Sequence, residues 1–376
     1  MKYYIIAGEA SGDLHASNLM EAIKKNDPGA RFRCWGGDRM QSAGAELVKH
    51  IRELAFMGFA EVLMNLGKIL SNLRLCKRDL LAWKPDVVIL VDYPGFNLRM
   101  AAFAKRHGIP VAYYVSPQIW AWKENRRRAI RRNVDLMLVI LPFEKDFYAR
   151  FGMEVDYVGH PLLDAVEEFK GQSDPLEFRE RNSLPDKPLV AILPGSREQE
   201  ISRMLPTMLA VCRDFPSHHF VLAGLSMMPA AAYSQEPLPE NATLVMDQTQ
   251  VLLSHAEATL VVSGTATLEA ALIGVPMVVC YKAGWVTYQI ARRLAKVKYI
   301  SLVNLVMDQS LVKELIQDDF NEKTVSRELK RLIDEPGYRD RILSGYSELK
   351  DRLGGRGASE RAAGSIAALL RGVSPR

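Results

Sequence analysis

The sequence predicts an α/β protein with two parallel sheets, one in each half of the chain, each covered by helices. Short β-branched runs alternate with longer stretches of helical periodicity through both halves, which is the pattern of parallel strands joined by helical crossovers. Length agrees, because 376 residues is long for one core when domains commonly hold about 100–200 residues. The first series of strands is Tyr3 to Ala7, Val87 to Val91, Val111 to Val115 and Leu136 to Ile140. The second is Val190 to Leu193, Phe220 to Ala223, Thr259 to Val262 and Met277 to Cys280. Between them Gly171-Gln172-Ser173-Asp174-Pro175 reads as a break, with Pro185 and Pro188 before the second series. The expected organisation is therefore residues 1–170, residues 171–340 and a helical tail, 341–376, that packs back on the first domain. Ligands of such sheets bind at the carboxyl ends of the strands, here in a cleft between the domains.

In the first half, Tyr3 to Ala7 leads into Gly8-Glu9-Ala10-Ser11-Gly12-Asp13, with a helix expected from near Leu14. The turn lacks G-x-G-x-x-G and carries acids that would repel a pyrophosphate. Glu9, Asp13 and His15 suit hydroxyl-rich or neutral ligand groups; a tight turn with Asp13 as a helix cap explains the same residues structurally. Next, Phe56-Met57-Gly58-Phe59 precedes a helical stripe of Leu63, Leu66, Ile69, Leu70, Leu73, Leu80 and Leu81, edged by Lys68, Arg74, Lys77 and Arg78. That stripe is either buried against the first sheet or part of an acyl-chain or membrane contact. Asp92 ends the strand Val87 to Val91 ahead of Tyr93-Pro94-Gly95-Phe96-Asn97, as a turn-forming acid or as a general base for an attacking hydroxyl. Pro117-Gln118-Ile119-Trp120-Ala121-Trp122-Lys123 runs into Arg126, Arg127, Arg128, Arg131 and Arg132, the densest basic patch. Such a patch serves as a solvated helix face or binds RNA, anionic headgroups or a phosphorylated sugar; no nucleic-acid module accompanies it.

The second half carries the phosphate signals. Leu193-Pro194-Gly195-Ser196-Arg197 closes one strand before a helical pattern, and the planar guanidinium of Arg197 suits a diphosphate. Val261-Val262 runs into Ser263-Gly264-Thr265-Ala266-Thr267, small residues that let a phosphate approach the backbone at the start of a helix. With Thr265 as the N-cap, Glu269 comes one place too late for a capping box and is either a first-turn acid or an acceptor for ribose hydroxyls. Ala270 to Ile273 continues the helix, Gly274 closes it, and Pro276-Met277-Val278-Val279 opens the next strand. A dinucleotide fingerprint would stand in the first βα unit with its acid roughly 20 residues on, so this late turn predicts something else.

Composition narrows the class. Hydrophobic residues at 48% and charged residues at 25% are those of a globular protein, and the net charge of +5 is modest. No run supplies the roughly 20 apolar residues of a spanning helix, so any membrane contact is expected from one side. Met1 to Ala7 reads as a strand rather than a signal peptide. Cys34, Cys76, Cys212 and Cys280 show no paired spacing and are expected to be reduced core residues of a cytosolic protein. No Asp-x-Asp, H-E-x-x-H or Cys/His cluster is present, so neither a metal nor another cofactor is expected.

Taken in order, Gly8 to Asp13, Gly36-Gly37-Asp38, Met57-Gly58-Phe59 with Glu61-Val62, Asp92 with Phe96-Asn97, and Trp120-Ala121-Trp122 resemble the lipid-A-disaccharide synthase family. So do Leu141-Pro142-Phe143-Glu144, Gly159-His160-Pro161, Pro194 to Arg197, Ser263 to Glu269, and Asn304-Leu305 ahead of Leu311 to Leu315. The resemblance implies two Rossmann-like domains facing a cleft, the GT-B plan, and a metal-independent, inverting glycosyltransferase. Its substrates would be UDP-2,3-diacylglucosamine and the 6-hydroxyl of 2,3-diacylglucosamine 1-phosphate, with UDP and a β-1,6-linked disaccharide 1-phosphate as products. In that mapping Asp92 is the base; Gly195, Ser196, Arg197 and Ser263 to Thr267 hold the diphosphate; Glu269 holds the ribose. Glu9, Ser11, Asp13, His15, Asn97 and Trp120 fall on the acceptor or sugar side. Phe56, Met57, Phe59, Leu63, Leu66, Leu70, Arg126, Arg127, Arg128 and Arg131 would meet lipid at the cytoplasmic face of the inner membrane. The resemblance further implies a homodimer that exchanges C-terminal parts, bringing Asn304 toward the partner's nucleotide, and no nucleic-acid partner. Gly95 departs from the family pattern, in which many relatives carry an acid. A UDP-sugar 2-epimerase of the same plan and a non-catalytic lipid-binding protein are the competing readings.

Overall fold

The computed structural model describes residues 1–54, 66–121, 123–169, 174–234, 237–284, 288–289 and 297–372. The chain divides into two compact units, one of Met1–Pro161 with Arg356–Arg376 and one of Leu162–Gly355.

The first unit is a seven-stranded, all-parallel sheet of β1 (Lys2–Ala7), β2 (Arg31–Gly36), β3 (Glu46–His50), β4 (Val87–Val91), β5 (Val111–Tyr114), β6 (Leu136–Val139) and β7 (Asp156–Tyr157). Their order is β3-β2-β1-β4-β5-β6-β7, so chain direction across the sheet reverses between β1 and β4. β4 and β5 are buried throughout, which is why they read as unbroken apolar runs. One buried polar knot joins β1, β2 and the helix Leu66–Trp83: the Tyr4 hydroxyl accepts from Trp35 Nε1 at 2.9 Å and donates to Asp79 at 2.8 Å, and Asp79 also holds Arg33. That helix buries Leu73, Cys76 and Leu80 against the sheet, while Leu70 and Leu81 are exposed. The predicted stripe is thus split between two faces.

The C-terminal helix Ala358–Leu370 packs on the first helix, Ala10–Asn26. Lys25 pairs with Glu360 at 3.0 Å, Arg361 Nε donates to the Val158 carbonyl at 2.8 Å, and Ser365 donates to Asp156 at 2.9 Å. The helices Glu322–Asp334 and Pro336–Arg352 belong to the second unit.

The second unit is a six-stranded parallel sheet of β8 (Leu189–Leu193), β9 (His219–Gly224), β10 (Ala242–Met246), β11 (Ala256–Val262), β12 (Met277–Tyr281) and β13 (Lys313–Ile316). Its order is β10-β9-β8-β11-β12-β13, with the reversal between β8 and β11. All four cysteines are buried free thiols. Five strands, β2, β3, β7, β10 and β13, have no counterpart among the apolar runs of the sequence. Most of these lie toward sheet edges, where one side is half exposed and charged residues replace the apolar run, as in Lys313-Glu314-Leu315-Ile316.

Candidate functional site

In each unit the sequence-predicted turns flank the strand-order reversal, the place where open α/β sheets bind ligands. In the second unit Leu193 lies opposite Val261, so the turns after β8 and β11 are neighbours.

After β8, Gly195 has φ +119°, and a Cβ there would sit 2.7 Å from the Glu200 side chain. Only glycine lets Glu200 fold back over the turn. Its carboxylate accepts from the Ser196 amide at 3.2 Å and from Arg197 Nη1 at 2.9 Å. Arg197, at the N-cap of the helix Glu198–Val211, is therefore steered by Glu200 while its side chain stays 44% exposed.

After β11 the helix Thr265–Ile273 begins with Gly264, not Thr265, at its N-cap. The shift makes Glu269 its fifth residue, past the first turn, where it accepts from Gln250 Nε2 at 2.9 Å. Gly274, with φ +100°, closes this helix in the left-handed conformation. The amides of Gly264, Thr265 and Ala266 meet no acceptor among the described residues, and a Cβ on Gly264 would meet no atom within 4 Å. Three orphan donors at the positive end of a helix, beside open space, form an anion cradle. Two of the turn's three hydroxyls are spent elsewhere: Ser263 Oγ donates to the Ile300 carbonyl at 2.7 Å and Thr267 Oγ1 to the Gly264 carbonyl at 2.8 Å. The cradle is thus built chiefly of main chain, with the Thr265 hydroxyl at its edge.

Behind it stands Glu314, which the sequence did not single out for a role. Its carboxylate accepts from the amides of Ile300 (3.0 Å) and Ser301 (2.9 Å), from Ser301 Oγ (2.7 Å) and from Asn304 Nδ2 (2.9 Å). Asn304 is fully buried and also exchanges hydrogen bonds with the Val312 backbone at 2.9 and 3.0 Å. Asn304 is accordingly enclosed by Val312, Ser301 and Glu314 of its own unit. Its tie to the cradle runs through Ser301, Ile300 and Ser263.

In the first unit Ala7 lies opposite Val91, which sets the Gly8 turn beside Asp92. A Cβ on Gly8 would overlap the Tyr93 ring at 2.3 Å, so glycine is what allows the two turns to pack. The helix starts at Ala10 with Glu9 as N-cap, four residues earlier than the sequence suggested, and encloses Ser11, Asp13 and His15. Asp13 is buried and accepts from the amides of Gly37 (2.6 Å), Arg39 (3.1 Å) and Met40 (3.2 Å), satisfying the start of the helix Asp38–Ser42. His15 is buried with Nδ1 unpartnered, 6.2 Å from the His160 ring. Burial lowers His15 to about 4, and burial with His15 alongside lowers His160 to about 3, so both are neutral at neutral pH.

Asp92 is half-buried, and its backbone is left-handed, as are those of Tyr93 (φ +48°) and the β-branched Val115 at the end of β5 (φ +61°). Such strain persists only where surroundings over-determine it. Here the Asp92 carbonyl accepts from Tyr113 Oη at 2.5 Å and from Asn97 Nδ2 at 2.8 Å. Asn97 is fully buried and also reaches the carbonyls of Val91 (3.2 Å) and Ile6 (3.3 Å), stitching β4 to β1. It positions Asp92.

Trp120 stacks edge-on with Phe143 at 4.9 Å and donates Nε1 to Glu144 at 3.2 Å. Glu144 also accepts from the amides of Ile140 (3.2 Å) and Leu141 (3.0 Å) at the start of the helix Pro142–Ala149. Its burial raises its carboxyl to about 7, against the partial relief those donors give. Phe56, Met57, Phe59 and Leu63 lie outside the described residues, and Leu66 opens the helix Leu66–Trp83. No helix among the described residues is long and apolar enough to cross a membrane, and none of their His, Cys, Asp or Glu groups is arranged as a metal site.

The sequence profile of lipid-A-disaccharide synthetase matches residues 3–362. The chain belongs to the lipid-A-disaccharide synthase family. It is 41% identical to the lipid-A-disaccharide synthase of Syntrophus aciditrophicus (strain SB) over 366 residues, covering 96% of this chain and 95% of that one. Among solved structures it is similar to a putative UDP-N-acetylglucosamine 2-epimerase from Listeria monocytogenes, with a TM-score of 0.71 at 13% identity, covering 100% of this chain and 98% of that one. The glycotransferase of kitacinnamycin gives a TM-score of 0.65 at 18% identity, with 100% and 99% covered. At such identities these two likenesses show the fold they share, two Rossmann-like α/β domains; the family shows a glycosyltransferase of lipid A biosynthesis, so the epimerase and lipid-carrier readings are not favoured.

Proposed function

We propose that this synthase-family chain transfers 2,3-diacylglucosamine from its UDP donor to the 6-hydroxyl of 2,3-diacylglucosamine 1-phosphate. The observation that carries the reading is the pair of adjacent turns at the reversal of the second sheet, a main-chain anion cradle beside a steered arginine. The amides of Gly264, Thr265 and Ala266 and the guanidinium of Arg197 take the diphosphate, and Glu269 accepts from the ribose hydroxyls. Asp92 takes the proton of the acceptor's 6-hydroxyl as that oxygen bonds to the donor's anomeric carbon. The bond from that carbon to the diphosphate breaks, UDP leaves with the electron pair, and the configuration inverts. The cradle and Arg197 stabilise charge as it develops, by preorganised electrostatics.

Both substrates carry acyl chains, and we place the contact with the membrane on the helix Leu66–Trp83, where Leu70 and Leu81 are exposed on the same side as Arg74 and Arg78. We also propose a homodimer at the cytoplasmic face of the inner membrane, checked by light scattering of the purified protein and by flotation with anionic vesicles. The activity is tested by supplying both acylated sugars, with and without a chelator, and following UDP together with disaccharide phosphate. UDP release without disaccharide would reject the transfer, and solvent deuterium entering the donor sugar at C2 would favour an epimerase.

A further inference from the structure

The helix Thr265–Ile273 carries Glu269 one turn past the cradle, and the side chain that meets it comes from another segment: Gln250 Nε2 donates to Glu269 Oε1 at 2.9 Å. Gln250 is the second residue of the short helix Thr249–His255, which follows β10 and packs beside Thr265–Ile273. Three ties hold that short helix in place. Asp247, left-handed at φ +56°, donates its amide to the Gly224 carbonyl at 2.9 Å and accepts from the Ser226 amide at 3.0 Å, which joins the turns after β9 and β10. Gln248 exchanges amide hydrogen bonds with Asn182 at 3.2 and 3.3 Å. Leu252 and Leu253 are fully buried.

Gln250 therefore reaches Glu269 from a fixed base. The main chain of Glu269 is fixed as well, because Leu268 and Ala270 on either side of it are fully buried, while Glu269 itself is half-buried. What is left to set is the direction of the carboxylate. A glutamate side chain turns about several bonds, and a ligand that has to confine it loses affinity in doing so. An amide donor confines it beforehand. Unlike arginine or lysine, glutamine brings no charge of its own to the carboxylate it orients.

We propose that Gln250 is the positioning residue for the Glu269 carboxylate, and that the pair makes the site select a ribonucleoside diphosphate over its 2′-deoxy counterpart. The inference rests on the reading of Glu269 as an acceptor for ribose hydroxyls given above and adds the residue that aims it. A carboxylate accepts from the two neighbouring hydroxyls of a ribose only when its plane faces them. A 2′-deoxyribose offers one hydroxyl fewer, and a site built to bond a hydroxyl penalises the analogue that lacks it.

The test measures binding of UDP and 2′-deoxy-UDP to the full chain by calorimetry, for wild type, Gln250→Met, Gln250→Asn and Glu269→Gln. Wild type should prefer UDP by about tenfold or more, as a hydrogen bond to a charged acceptor does. Gln250→Met keeps the length of the side chain without the donor; it should weaken UDP by about 5- to 20-fold and leave 2′-deoxy-UDP within about threefold. Gln250→Asn keeps the amide but stops short of the carboxylate, and should narrow the preference in the same way, so the outcome does not hang on one variant. Glu269→Gln should narrow it at least as far, and adding Gln250→Met to Glu269→Gln should cost nothing more. If the Gln250 variants weaken both nucleotides equally or neither, while Glu269→Gln narrows the preference, the positioning role is overturned and the ribose reading stands. A wild type that binds the two nucleotides alike, or a Glu269→Gln variant with the wild-type preference, overturns the ribose reading and the inference with it.

Discussion

Replacing Glu144 by glutamine should flatten the dependence of the first unit's stability on pH. Glu144 is 1% exposed, and burial raises its carboxyl from 4.5 to about 7. At roughly 1.4 kcal/mol for each tenfold change in proton affinity, that difference is about 3 kcal/mol. The folded protein binds the proton more tightly than the unfolded chain, so the contribution is fully present below about pH 4.5 and lost as pH rises through about 7. Glutamine does not titrate. It retains an oxygen for the Ile140 and Leu141 amides but turns an N–H₂ toward Trp120 Nε1, a cost that is independent of pH. The stability of Glu144→Gln relative to wild type should therefore improve by about 3 kcal/mol between about pH 4.5 and about pH 8. His15 and His160 act in the opposite sense: their depressed values give stability that is present above 6.5 and lost on acidification, but they are common to both proteins and cancel in the difference. Urea unfolding followed by tryptophan emission makes the measurement, because Trp35, Trp83, Trp120 and Trp122 all fall in the first unit's span. Parallel stability curves for the two proteins would refute the reasoning, since they would mean that Glu144 does not titrate in this range.

Asp92→Asn should fold normally, because Tyr113 and Asn97 hold the main-chain carbonyl rather than the carboxylate, yet turnover should fall by about 10²- to 10⁴-fold with UDP affinity unchanged; single-turnover kinetics and calorimetry check the two halves. Gly195→Ala drives a Cβ into Glu200 at a left-handed φ, so UDP affinity should drop together with the melting temperature, and an unchanged Kd would show that Arg197 does not depend on Glu200. Glu314→Gln leaves a donor among Ile300, Ser301 and Asn304 without its acceptor and should cost on the order of 1–3 kcal/mol in unfolding free energy, with UDP binding weakened through the Ser263 link. Wild-type UDP affinity in that variant would separate the buried network from the cradle.

The turns of the candidate site were legible because their signals are local. The small residues Ser263 to Thr267 ahead of an apolar helix, and Arg197 after a strand, announce themselves within a few positions. What was hidden depends on pairing between distant segments. Asp13 reads as a ligand acid or a cap for its own helix, yet its partners are amides near residue 38, brought over by the β1–β2 pairing. Asn304 enters from the sequence only through the resemblance, and its partners Val312 and Glu314, eight and ten residues on, are set by how the chain folds back. Gly8 looks like a turn residue, whereas its reason is the ring of Tyr93, the N-cap of a helix more than eighty residues away. Strand order, which makes neighbours of the turns after β8 and β11, is a property of the sheet and not of any window of sequence.

The return of Ala358–Leu370 to the first unit has a consequence for how the chain is made. The second unit is uninterrupted from Leu162 to Gly355, so all of it is synthesised before the helix that packs on Ala10–Asn26. The half translated first is thus the half that matures last. Until then the flank of the first helix that Ala358–Leu370 covers stays open.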